Sequence, residues 1–561
     1  MPTHYLPKDL IINSFDDIKS YFEDLLLREI KTEADIRKWL SDRSELSEVI
    51  EEDMAWRYIN TNCHTDNKTY QTAYASFITD ILPHIEQYEN KLNQKLIDSS
   101  AVDELPKEPY HILIRSVKKQ IEIFRKENIP LLAEMRQMEQ TYGNIVSKLT
   151  IEYEGKELTL QQANNFLHDP DRKIREAVFY KINEQRLSVK DELNELYTKL
   201  IRLRTQIARN AGYENYRDYK FDEMGRFDYT VKDCETFHTS VKNEVVPLVS
   251  ELYRQRQKQL SVEKLKPWDL EVDTSGKPPL HPYSEINDLI DNTITCFTEL
   301  DPEFGTFLKT MKEMKHLDLV SRKNKAPGGF NYPLYKTGVP FIFGNFTNTL
   351  HDLETMVHEG GHAIHSFLTK DLPQVEFKEF PSEVAELASM SMELISMSHW
   401  DLFFPDADDL KRAKRTQLEG VLKVLPWIMT IDKFQHWIYT HPEHSIAERE
   451  SQWIEIYEEF HPAGIVDWTG LDNEKTIIWQ KQLHLFEVPF YYIEYAFSQL
   501  GAIAVWKNFS ENRAKAIQQY RNGLSLGYTK TIPEIYAAAG IKFDFSQRYI
   551  HQLMTFVSGE M

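Results

Sequence analysis

The sequence predicts a mainly α-helical protein organised as two lobes. Three observations carry this. Apolar residues recur at three- and four-residue intervals through most of the chain, the period of a helix with one buried face. The chain has 561 residues, far more than one hydrophobic core supports. Segments with strand character are short and confined to two places.

From about Ser14 to Leu260 the pattern is helical. DDIKSYFEDLLLREI, HILIRSVKKQIEIFRKENI and VKDELNELYTKLIRLRTQIARNAG each place apolar residues on one stripe. Gly212 ends the last of these as a helix stop. LTIEYEGKELTL interrupts the trend. It alternates apolar and polar residues around Glu154-Gly155 and predicts a hairpin. A proline-marked connection spans Lys266–Tyr283, and helical patterning resumes at Ser284. Ala326–Asn348 carries four glycines and aromatic runs, and predicts two short strands joined by a turn. Helix dominates again from Thr349.

Hydrophobic residues make up 41% of the chain, enough for a large core. The formal net charge of −21 argues against a nucleic-acid-binding surface, which needs a basic patch. It would attract cationic peptides at long range. Cys63, Cys234 and Cys296 lie far apart with no CxxC pair, so no disulfide framework is expected. The first residues lack a basic start followed by an apolar run, and no stretch approaches 18 apolar residues. These features predict a cytoplasmic protein that does not span a membrane.

Residues 358–362 read HEGGH. On a helix, His358 and His362 stand one turn apart on one face and can chelate a single zinc ion. Glu359 lies about 100° around the helix, placed to take a proton from water without being a ligand. Leu353, Met356, Val357, Ile364 and Phe367 supply an apolar pattern around the motif. Thr349 with Asp352 fits a capping box. Two adjacent glycines inside a helix cost roughly 1 kcal/mol each relative to alanine. Gly361 flanks the ligand face, so its missing side chain would admit another helix or a substrate. Gly360 points away and would admit a second close neighbour.

A zinc site needs a third protein ligand. The histidine six residues on that would make a metzincin is absent; Leu368 stands there. His365 is expected to be partly buried beside the site. Acids downstream are Glu376, Glu379, Glu383, Glu386 and Glu393. Pro381–Trp400 reads as a helix, with Ser382 as N-cap. Glu383, Glu386, Ser389 and Glu393 share one stripe, and the other faces are apolar. Such a helix is buried, and buried carboxylates need a cation or hydrogen-bond donors.

HEGGHAIHS followed by EVAELASMSME resembles the thimet oligopeptidase and oligoendopeptidase F family of zinc metallopeptidases. That family pairs HExxH with a later E-x-x-S-x-x-x-E pattern. Glu386, Ser389 and Glu393 match it, with Glu386 24 residues after His362. The resemblance implies Glu386 as third ligand and Glu393 as a supporting acid, with one zinc ion per chain. A carboxylate on the far nitrogen of a ligand histidine fixes its tautomer. GGFNYP and PFIFGNFTNTL are similar to the family's edge-strand segment, and HLFEVPFYYIEYA to its C-terminal tyrosine segment. Similarity runs from about Ala211 to Gly501. One departure is Gly360, where relatives often carry a bulky residue.

The resemblance implies a zincin-like fold: a helical N-terminal lobe over residues 1–205, a catalytic domain over 206–561, a deep substrate channel and a small β-sheet near the active site. It implies internal cleavage of short or unfolded peptides. His484, Tyr491, Tyr492 and Tyr495 then become the oxyanion donors that amide hydrolysis needs. Gly328, Gly329 and Phe330 would present an edge strand to an extended peptide. Two further readings are a metallocarboxypeptidase of similar helical fold and a non-catalytic helical peptide-binding scaffold.

Overall fold

A computed structural model describes residues 5–462 and 464–561. The protein is mainly α-helical, with two small sheets among the described residues. It forms two compact units, and each is assembled from separated stretches of chain. Unit one comprises the stretch ending at Glu122, then Leu280–Lys414 and Phe497–Phe543. Unit two comprises Ile123–Pro279, Arg415–Ala496 and Asp544–Met561. Residue 205, where a lobe boundary is expected, lies within the helix Lys190–Asn210 of unit two. The pattern of a chain marks helices, and it carries no signal for where the chain leaves one unit and later returns to it.

In unit one, the 31-residue helix Glu33–Cys63 starts at a capping box in which Thr32 and Asp35 satisfy each other's backbone N–H groups. It buries Ile36, Trp39, Leu40 and Leu46 in an apolar cluster with Phe22 and Phe77. The three-stranded sheet has the order β3 (Leu317–Val320), β5 (Phe341–Phe346), β4 (Phe330–Tyr332). β4 and β5 are the antiparallel pair expected within Ala326–Asn348. The parallel strand β3 was not expected. It has four residues and follows directly on the helix Pro302–Met314, after Lys315 turns the chain at φ 61°. So short a run has no period of its own.

In unit two, β1 (Thr150–Tyr153) and β2 (Lys156–Thr159) form the predicted hairpin. Glu154 and Gly155 both have positive φ, as a two-residue turn that matches strand twist requires. The helix Lys190–Asn210 ends at Ala211 and Gly212, with Gly212 at φ 93°. Asp269, fully buried, accepts hydrogen bonds from Arg172, Arg175 and the Lys266 amide. It thereby ties the helix Arg172–Ser188 to the connection at 266–269.

Candidate metal centre

The motif helix, Leu350–Thr369, lies in unit one. Its start is fixed by Asp352, as the capping-box pattern predicts. One oxygen of that carboxylate accepts from the Thr347 and Thr349 amides at 2.7 and 2.9 Å and from the Tyr283 hydroxyl at 2.7 Å. The acidic helix, Ser382–Ser396, packs across it. Its N-cap position is held by Pro381 rather than by Ser382, which is already helical; proline's fixed backbone and missing N–H suit a helix entrance.

The glycine pair explains how the two helices approach. A methyl group on Gly361 would sit 2.5 Å from the Ser389 Cα and 2.7 Å from the Ala388 carbonyl oxygen. Only a hydrogen fits between these backbones. A methyl on Gly360 would sit 2.7 Å from the ring of Phe297, on the helix Ile286–Leu300. Both close neighbours expected from the sequence are therefore present.

This packing brings His358, His362 and Glu386 together, with one donor atom from each within 4.8 Å of the others. The two imidazole Nε2 atoms lie 3.4 and 3.7 Å from the same Glu386 oxygen. Donors bound at about 2.0–2.1 Å around a tetrahedral ion stand roughly 3.3 Å apart, so the set fits a zinc ion. Glu393 Oε1 lies 2.6 Å from His358 Nδ1, the arrangement that leaves Nε2 turned toward Glu386. The Ser389 hydroxyl donates to that same Glu386 oxygen, Oε2, at 3.2 Å.

The charge states suit a cation at this point. Burial pushes His362 down to about 4, so it stays neutral. Burial opposes the charge on Glu386, but the hydrogen bond from His358 and the nearby imidazoles more than offset it and hold the carboxyl at about 2. Burial likewise opposes a charge on His358, yet Glu386 and Glu393 together hold it well above its ordinary value. Its Nδ1 proton serves Glu393; a cation at Nε2 would replace the other. Glu359 is 8% exposed, and burial raises its carboxyl to about 7.

His365 is not part of this group. Its ring is fully buried and stacks on Phe380 at 3.5 Å between centroids. The small sheet borders the motif helix: Asn331 of β4 donates to the Glu359 carbonyl, at 3.4 Å. Gly328, Gly329 and Phe330 lie at and just before the start of β4, an edge strand paired with β5. The Gly328 carbonyl already accepts from Asn345, and Phe330 stacks on Phe343.

His484, Tyr491, Tyr492 and Tyr495 belong to unit two. Their rings form one cluster: His484 lies 6.0, 4.8 and 5.9 Å from the three tyrosines in turn, centroid to centroid. Tyr495 lies on the helix Ile493–Glu511, whereas Tyr491 and Tyr492 precede it in a turn after Phe490, at φ 68°. Gln482 lies 2.7 Å from His484 Nδ1. Burial pushes the Tyr492 hydroxyl up to about 12.

Sequence reasoning missed the groups that seat the acidic helix. Ser498 and Tyr536 both donate to the Glu383 carbonyl at 2.9 Å, and Tyr520 donates to the Ala388 carbonyl at 2.8 Å. They lie more than a hundred residues downstream, and no local pattern links them to the motif.

A family model described as peptidase family M3 matches residues 165–555, and one for the peptidase M3 N-terminal domain matches residues 11–124. The helical fold and its HExxH helix thus define a peptidase. The chain belongs to peptidase family M3. It is 22% identical over 520 residues to the oligopeptidase PepF of Bacillus subtilis, covering 87% of this chain and 74% of that one. It is 23% identical over 447 residues to an oligoendopeptidase F homologue of Borreliella burgdorferi, covering 77% and 71%. A solved structure of PZ peptidase A with an inhibitor superposes with a TM-score of 0.91 at 26% identity, over 99% of this chain and 98% of that one.

Proposed function

We propose that this protein is a zinc-dependent oligoendopeptidase of the cytoplasm, hydrolysing internal bonds of short or unfolded peptides. His358, His362 and Glu386 would hold one zinc ion. The observation that carries this reading is the convergence of their three donor atoms within 4.8 Å, on two helices that Gly361 lets touch. When bound, zinc supplies Lewis-acid polarisation of the carbonyl and acidifies water.

Glu393 holds the His358 ring by its Nδ1–H, so that Nε2 carries the lone pair. Glu359 takes the proton from the attacking water and returns it to the leaving amine. The clustered phenols of Tyr491, Tyr492 and Tyr495, with His484, supply hydrogen bonds to the oxyanion. Their grouping and the family resemblance support that role. The edge position of β4 supports pairing of Gly328–Phe330 with an extended peptide, which gives affinity with little sequence demand. Three scattered cysteines support the compartment.

A single peptide blocked at its C-terminus by an amide tests the reaction. The wild-type protein should cleave it internally, and Glu359→Gln should keep its zinc and lose at least about a hundredfold in rate. Cleavage that requires a free C-terminal carboxylate would favour a carboxypeptidase. Unchanged turnover in Glu359→Gln would remove Glu359 as the base.

A further inference from the structure

Unit two contains a second cluster of metal-ligating groups, away from the HExxH motif in sequence and in a different unit. Cys234 and His238 stand four residues apart on the helix Val231–Glu244, and Asp432 and His436 four apart on the helix Ala407–Thr440. Residues four apart share a helix face, so each helix presents a two-residue set. Donor atoms of Cys234, Asp432 and His436 lie within 4.8 Å of one another. Cys234 and Asp432 are fully buried and His436 is 8% exposed.

Hydrogen bonding leaves part of this cluster unsatisfied. His436 Nδ1 and one oxygen of Asp432 are buried without a hydrogen-bond partner. Each such orphan costs about 1–3 kcal/mol. The other Asp432 oxygen lies 2.7 Å from His238 Nε2 and 3.1 Å from His436 Nε2. Phe221 and Phe490 pack edge-on against the His436 ring, so two of its neighbours are apolar.

We propose that Cys234, Asp432 and His436 bind a second divalent metal ion of the zinc class, with His238 positioning Asp432 from behind. A thiolate, an imidazole and a carboxylate suit zinc and its first-row neighbours, whereas calcium and magnesium take oxygen donors. Buried on every side, the site is structural. It staples the helix Val231–Glu244 to the helix Ala407–Thr440, and the thiol gives up its proton when the metal enters.

The test uses the full chain with His358→Ala and His362→Ala, which removes the imidazoles of the first centre. Co2+ is titrated into this double variant after chelator treatment, and the near-ultraviolet thiolate-to-cobalt absorption is recorded. The band should appear and saturate at about one equivalent. Adding Cys234→Ala should abolish it while the circular dichroism stays helical, and His436→Gln should weaken Co2+ binding at least about tenfold. Should Cys234→Ala fail to fold, His436→Gln decides. A double variant without a thiolate band overturns the site, as does a band that Cys234→Ala or His436→Gln leaves undiminished.

Discussion

At Gly361 the absence of one methyl group sets the distance between the motif helix and the acidic helix. The neighbours are backbone atoms, Ser389 Cα and the Ala388 carbonyl, so no side chain can rotate away. Gly361→Ala should therefore push the acidic helix outward and carry Glu386 off the two histidines. We expect at least tenfold weaker zinc retention in chelator competition, since displaced ligands lose metal affinity. Gly420→Ala is the control: its methyl would meet nothing within 4 Å, and helix propensity alone makes it stabilising by about 1 kcal/mol. Wild-type retention in Gly361→Ala would remove the packing argument. At this scale the sequence was informative. HEGGH announced two histidines on one helix face and the oddity of its glycines, because a helix turns spacing into direction. The rings of Tyr520 and Tyr536, which seat the acidic helix from behind, left no trace near the motif.

Among the elements, those with a period or a turn signal were legible. The β1–β2 hairpin was marked by alternation and by Glu154-Gly155, and the helix Lys190–Asn210 by its stripe and Gly212. β3 was invisible because four residues carry no period and its pairing partner lies far along the chain, Leu317 opposite Ile342. Contacts between elements carry their own energetics. Asp269 sits between Arg172 and Arg175 with no exposure. Burial opposes its charge, but hydrogen bonds from both arginines and the Lys266 amide offset this and lower its pKa below the unperturbed 3.8. A carboxyl depressed in the folded state stabilises fully above its unfolded value and loses that contribution as pH falls through the folded value. Asp269→Asn should therefore cost roughly 3–5 kcal/mol near neutral pH. The gap from wild type in urea unfolding should shrink progressively on acidification below about pH 4. A gap independent of pH would mean that the charge on Asp269 contributes nothing.

For the whole molecule, the sequence gives the mainly α class and the expectation of more than one core, and the structure has two compact units. It could not give their composition, because each unit gathers stretches hundreds of residues apart and such contacts leave no local pattern. The charge is legible directly. A net −21 attracts cationic peptides, and mobile salt screens that attraction over about 10 Å at 0.1 M. Between two peptides that differ only in lysine or glutamate outside the cleaved bond, kcat/KM for the cationic one should fall severalfold as salt rises from about 0.02 to 0.5 M. The anionic one should change little or rise. Equal salt slopes would show that the acidic surface plays no part in substrate capture.

The central claim is that two imidazoles and one carboxylate in unit one share a single zinc ion. Diffraction from crystals of the protein on either side of the zinc absorption edge tests it most directly. An anomalous peak bonded to His358 Nε2, His362 Nε2 and the Glu386 carboxylate is the predicted result. A zinc-replete crystal with no peak among those three donors would contradict it.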